Sequence, residues 1–139
     1  MPTFRGEVYS LAAASAALQI HQRMDVPQKI QEIGTTLKGA INQLSLDLNV
    51  RGELIGVPFR MIYKFDEPDA QQRTLMRTFL QQELLQRGVL TYKGFMLPSL
   101  AHGAPEIEQT VTAFRGALTR VQEVAADGAL VRHLEIPVF

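Results

Sequence analysis

Cysteine is absent, and with it go disulfides, thiolate metal sites and a cysteine nucleophile. A cysteine-free chain suits a reducing compartment, so a cytoplasmic location is expected. Net charge is lacking too. The 14 Lys and Arg residues balance 14 Asp and Glu residues, which leaves no field to gather phosphates or anionic lipid, and no basic stripe is interleaved with aromatics. Nucleic acid is therefore not an expected partner. No apolar run approaches the ~20 residues that a membrane span requires, so no membrane is expected either. Arg5 ahead of Tyr9 to Leu18 has the outline of a signal peptide, but Glu7 interrupts its front and its strongly apolar residues are few. The common catalytic patterns are also missing: there is no glycine-rich phosphate loop, no Gly-x-Ser-x-Gly elbow and no His-Glu-x-x-His. His21, His102 and His133 share no ligand spacing, so no metal site is expected. His102 reads as a cap or surface residue, and His21 and His133 as surface residues.

What is present is enough for one core: 139 residues, 46% of them hydrophobic, form one expected domain. From Glu7 to Arg23 the chain has high helix propensity, and its alanines leave the backbone approachable, so a close neighbour is expected against it. Asp25-Val26-Pro27 opens a second helix, with Asp25 expected to accept from its first amides. Ile30, Ile33, Leu37, Ile41, Leu44 and Leu48 then mark one buried face, and Gly34 and Gly39 suggest close approaches to it. From Leu48 to Phe65 the period changes. Leu54 to Val57 reads as a short extended piece, and Phe59, Met61, Tyr63 and Phe65 alternate with polar or less buried positions as a strand. Asp66 to Asp69 is a turn and cap, followed by a helix with Met76, Phe79, Leu80 and Leu84 inward and Gly88 as its stop.

Between Gly88 and Phe114 the local instructions are densest. Val89 to Tyr92 favours a strand, Lys93-Gly94 a turn and Phe95 to Leu97 a return strand. Pro105 with Glu106 and Glu108 opens a last helix with Ile107, Val111, Phe114, Leu118 and Val121 inward, which Asp127-Gly128 ends. The tail from Ala129 is not assigned. The fold class expected from this order is α+β: a small mixed or antiparallel sheet of about three or four strands, covered on one face by about four helices.

Two stretches resemble a known family. Gly88-Val89, Pro98-Ser99-Leu100-Ala101-His102 and the helix start at Glu106 to Thr110 are similar to the C-terminal small domain of class III pyridoxal-phosphate aminotransferases, of the glutamate-1-semialdehyde aminomutase type. That branch carries a Gly-Val … Ser-x-Ala-His-Thr-x-x-Asp-Ile pattern; Gly103 stands for its Thr and Glu106 for its Asp. Thr3 to Ala14 matches the family's Gly-Thr-Phe-x-Gly-Glu-x-x-Ser-Leu-Ala-Ala-Ala motif from the Thr onward, with Pro2 in place of the Gly. The resemblance spans about residues 3 to 126. It implies a fragment that begins in mid-motif, whose large domain and Schiff-base lysine would lie upstream. It further implies pyridoxal phosphate as the parent's cofactor, with none expected on this chain alone, and a homodimer through the Ala-rich helix Glu7 to Arg23. Thr3 is the implied cofactor-binding residue, reaching the phosphate across the dimer interface. No residue is expected to be catalytic. None of Lys29, Lys38, Lys64 and Lys93 matches the family's lysine, and Gly94 to Pro98 lacks the arginine that some branches use to clamp a substrate carboxylate. Arg5 and Arg60 have no assigned role. The competing expectation is a stand-alone, non-catalytic oligomerisation or interaction domain.

Overall fold

A computed structural model describes residues 7–136 and residue 138. In chain order the elements are helices α1 (Val8–Met24) and α2 (Val26–Asp47), strands β1 (Gly52–Val57) and β2 (Arg60–Phe65), helix α3 (Ala70–Gln86), strand β3 (Phe95–Met96), and helices α4 (Ala104–Ala126) and α5 (Leu130–His133). The strands form one antiparallel sheet in the order β1-β2-β3. This is the expected α+β arrangement of a small sheet with helices packed on it.

Alternation along β2 decides which face is covered. Met61, Tyr63 and Phe65 point inward and are buried, whereas Arg60 and Lys64 face outward. Leu54 joins the inward row from β1, in register with Tyr63. Onto that row pack Leu37, Ile41 and Leu44 of α2, Phe79, Leu80 and Leu84 of α3, and Phe114, Leu118 and Val121 of α4. The rings of Tyr63 and Phe65 meet edge-on at 5.0 Å, and Tyr63 lies 6.0 Å from Phe114. Ala113 and Ala117 on α4 are small enough to sit inside this core.

Helix ends follow their local signals closely. After α3, Gly88 (φ 80°) donates to Leu85 and Val89 donates to Leu84, the paired bonds of a Schellman stop. Gly128 (φ 63°) and Ala129 repeat the arrangement after α4, and Asn49 (φ 54°) with Val50 does so after α2. Asp69 accepts from the Gln72 amide at the start of α3. Glu106 reaches back to the Gly103 N–H at 2.9 Å at the start of α4. Lys93 (φ 49°) and Gly94 (φ 80°) both take the left-handed conformation that a two-residue hairpin turn requires.

Several expectations are corrected. Asp25 does not cap α2 with its side chain; it is the single left-handed residue (φ 48°) at which α1 breaks from α2, and its carboxylate makes no hydrogen bond to the new helix's first amides. β1 is a full six-residue strand because every residue from Gly52 to Val57 pairs with β2. Phe59 is 56% exposed, since it occupies the turn of that hairpin rather than the strand. Val89 to Tyr92 is no strand: the Schellman stop consumes Val89, and only Tyr92 bridges to Phe95. The unassigned tail forms α5, with Leu130 buried.

Backbone groups left over at the sheet edge and chain ends are met by side-chain amides. Asn42 on α2 accepts from Leu54 N–H at 2.6 Å and donates to Leu54 C=O at 3.3 Å, sealing the edge of β1. Gln82 on α3 holds His133 C=O and Glu135 N–H. Gln122 on α4 holds Leu48 C=O at 3.0 Å. Inside the core, the Ser45 hydroxyl donates to Ile41 C=O, which leaves its oxygen to accept from Tyr63 at 2.8 Å.

Gly34 lies so close to the Pro58 carbonyl that a Cβ there would overlap it, while nothing lies within 4 Å of a Cβ on Gly39. Gly34→Ala is therefore expected to cost about 1 to 3 kcal/mol. Gly39→Ala, relieved of glycine's backbone entropy, is expected to stabilise by up to about 1 kcal/mol. Urea unfolding midpoints of the two variants check both signs. Burial also pushes the Tyr63 hydroxyl from its usual 10.0 up to about 12. The protonated form is the one the fold favours, so this contribution is whole below pH 10 and fades as pH climbs through about 12. Phenolate absorbance followed with pH is expected to show Tyr63 ionising above its usual 10.0, at about 12.

Candidate functional site

Two exposed apolar surfaces stand out once the core is accounted for. The first is α1. Its start is set by Glu7, whose carboxylate accepts from the Tyr9 and Ser10 amides at 2.8 and 2.7 Å and is held below the usual carboxylate range by its bonds to Ser10. None of its residues is buried: Val8, Tyr9, Leu11 and Leu18 are all at least 65% exposed. The close neighbour expected for this Ala-rich helix is not supplied by the described residues, because the break at Asp25 carries α1 away from the core that α2 joins.

The second surface is the loop between α3 and α4. Leu90, Tyr92 and Leu97 stand out from it at 81%, 71% and 62% exposure. Behind them a cleft of about 80 Å³ is bounded by Ile33 and Leu37 of α2, Met96 of β3, and Ile107 and Thr110 of α4. Thr91 is only 4% exposed, and its hydroxyl, which lines this cleft, has no hydrogen-bond partner among the described residues. His102 also lines the cleft; its Nδ1 accepts from Ser99 N–H, which orders the Pro98 to Gly103 turn. His102 is thus the loop residue expected from the sequence. A space of this size admits water or one small group, well short of the roughly 300 Å³ at which drug-sized ligand pockets begin.

The expected site residues are distributed as follows. Thr3 and Arg5 lie outside the described residues. Lys29, Lys64 and Lys93 are exposed, and Lys38 donates to Gly56 C=O at 2.9 Å. Lys93 lies 5.8 Å from the Tyr92 ring. None of the four is enclosed as a Schiff-base amine would need to be, so the described residues do not fit pyridoxal phosphate as a complete site. Arg60 receives a role that the sequence did not assign: its guanidinium sits 4.7 Å over the Phe95 ring, brought there from the neighbouring strand. The His133 ring centroid rests 6.5 Å from that of Phe79. Among the described residues, no three His, Asp or Glu side chains cluster as metal ligands, and no helix is long and apolar enough to cross a membrane.

No protein-family model matches the chain, and no curated protein matches it. Solved structures do. The FumI protein of a Sphingopyxis species, in its PLP internal aldimine form, superposes with a TM-score of 0.71 at 20% identity over 83% of this chain and 27% of its own. An omega-transaminase from Sphaerobacter thermophilus gives 0.62 at 21% identity, over 68% of this chain and 24% of its own. A glutamate-1-semialdehyde aminomutase from Pseudomonas aeruginosa in complex with PMP gives 0.60 at 19% identity, over 70% and 24%. The chain spans about a quarter of the length of each. What is shared at these identities is the fold, and the proteins that share it are of the kind the two sequence motifs resemble.

The two apolar surfaces differ in how they are anchored, which gives a direct test. With no buried residue, α1 is expected to exchange its amide hydrogens orders of magnitude faster than α3 and α4 in dilute solution. Hydrogen exchange read by mass spectrometry checks this, and protection of α1 that grows with protein concentration would identify association through it.

Proposed function

We propose that this chain is the C-terminal domain, or a truncated remnant, of a class III pyridoxal-phosphate-dependent aminotransferase or aminomutase, and that it is catalytically incomplete alone. The observation that carries the reading is the joint one: a fold held in common with about a quarter of the length of such enzymes, on a chain that resembles two of their motifs in the right order. In the assembled enzyme the cofactor would supply an electron sink, and the missing N-terminal large domain would supply the lysine that holds it. This chain's part is to close one wall of the site through Tyr92 to Ser99 and to join a second copy through α1. The bare apolar side of α1 supports that second role, since exposed Val8, Leu11 and Leu18 are side chains a partner would cover. Thr3 then reaches the cofactor phosphate of the neighbouring subunit. A cysteine-free chain is in keeping with a cytoplasmic enzyme. The rival reading, a stand-alone oligomerisation or interaction domain, draws on the same exposed helix.

Borohydride reduction after incubation with pyridoxal phosphate, followed by intact-mass analysis, is the experiment. The expected result is no stoichiometric single-site fixation and no amino-group transfer by the 139-residue chain. Cofactor fixed on one lysine together with turnover would overturn the claim of incompleteness. Supplying a large domain of this enzyme class in trans separates the two readings: the fragment restores its activity, whereas an unrelated interaction domain does not.

A further inference from the structure

Exposure alternates along the segment after the α3 stop. Leu90 and Tyr92 stand in solvent, while Thr91 between them is 4% exposed. The loop thus carries a hydroxyl into the interior, and that hydroxyl has no hydrogen-bond partner among the described residues. Burying a hydroxyl unpaired is unfavourable, and a methyl of the same shape would not carry that cost.

Thr91 lines the cleft of about 80 Å³ behind the loop. The other polar side chains on this cleft have partners of their own. His102 Nδ1 accepts from Ser99 N–H at 2.9 Å, Glu106 Oε2 accepts from Gly103 N–H at 2.9 Å, and the Thr110 hydroxyl donates to Glu106 C=O at 2.7 Å. The rest of the wall is apolar, with Ile33, Leu37 and Ile107 from the helices and the exposed Leu90 and Leu97 from the loop. Water in such a space finds few of the roughly two to four partners it needs. An apolar cavity of roughly 150 Å³ holds benzene, so this one has room for about three or four non-hydrogen atoms. Leu90 and Leu97 can cover a chain that runs on outward from it.

Thr91 also borders a hollow of about 10 Å³ among Tyr63, Arg77, Leu80 and Phe114, which has room for one water at most. A water held there is the competing way to satisfy the hydroxyl. The larger cleft differs in offering apolar cover together with the hydroxyl, which is the pairing that an amphiphilic ligand needs.

We propose that this cleft binds the end of an unbranched aliphatic chain that carries a hydroxyl, with the head paired to Thr91 and the chain lying between Ile33, Ile107, Leu90 and Leu97. A carboxylate head would have to shed its water for one neutral hydroxyl, beside the negative charge of Glu106. The site is independent of the parentage proposed above, since it is built wholly from residues of this chain.

1-Hexanol is the probe, titrated into the isotopically labelled chain and followed by amide chemical shifts. Saturable binding is expected below about 10 mM, with shifts at residues 89–92 and 107–110. Each methylene added from 1-butanol to 1-hexanol is expected to tighten binding about threefold. Hexanoate and hexylammonium, whose heads are charged, are each expected to bind about tenfold more weakly or worse. Thr91→Val is expected to weaken 1-hexanol about fivefold and, by removing an unpaired hydroxyl, to raise the urea midpoint of the free chain. Leu90→Ala, at a position 81% exposed, weakens 1-hexanol about threefold and serves if Thr91→Val fails to fold. Leu46→Ala, an exposed apolar position on α2 away from the cleft lining, leaves it unchanged. No saturation in that range, equal or tighter binding of either charged analogue, or undiminished affinity in the folded cleft variants would overturn the proposal. So would a lowered urea midpoint for Thr91→Val, the result expected if a water in the smaller hollow already satisfies the hydroxyl.

Discussion

One row of side chains, Leu54, Met61, Tyr63 and Phe65, has to be hidden from water, and the remainder of the fold is arranged to do it. A sheet of three short strands has little stability of its own. Burying a large apolar side chain contributes about 1.5 to 3 kcal/mol, so this row on one face is the main reason the strands hold together. Three helices reach it by different means. α2 packs against β1, α3 packs against β2, and α4 packs against both helices, with Ala113 and Ala117 buried and Phe114 reaching Tyr63.

Covering one face leaves unfinished surface in several places, and it is treated in three ways. The free edge of β1 is sealed by Asn42, a helix side chain doing the work of a strand's backbone. The tail and the end of α2 are tied down by Gln82 and Gln122 in the same way. The far end of β2 has no such seal; there α3 approaches with Arg73 and Arg77, and a hollow remains. The outer face of the sheet, α1 and the loop at Tyr92 to Leu97 keep their apolar groups exposed.

Those exposed groups connect the fold to the proposed function. A monomer gains nothing from a helix with Val8, Leu11 and Leu18 in water, and a wall of an active site has to be open on the side where the site lies. Solved transaminases and an aminomutase contain the same fold as about a quarter of their length, and it is the surfaces this chain leaves bare that the proposed assembly would cover.

Much of the architecture was legible in the order of residues. The stops at Gly88 and Gly128, the start at Glu106, the Lys93-Gly94 turn and the inward faces of α2 and α4 all rest on signals within four or five neighbours, and local backbone physics reads those directly. Expectations failed where the deciding partner was distant or where two local signals competed. Phe59 looked inward by alternation, but the hairpin register placed it in a turn; Asp25 looked like a cap, but its own backbone was needed to break the helix. Thr91, the Asn42 seal and the Ser45–Tyr63 bond carried no sequence pattern. By itself the sequence determined where the four long helices lie, which sides of them are apolar, and which family the motifs resemble. Only the tertiary structure decided which side-chain amide meets which backbone group, which hydroxyl lines a cleft, and which apolar helix finds no cover, because those pairings join residues as far apart as Gln82 and Glu135, beyond the reach of any local rule.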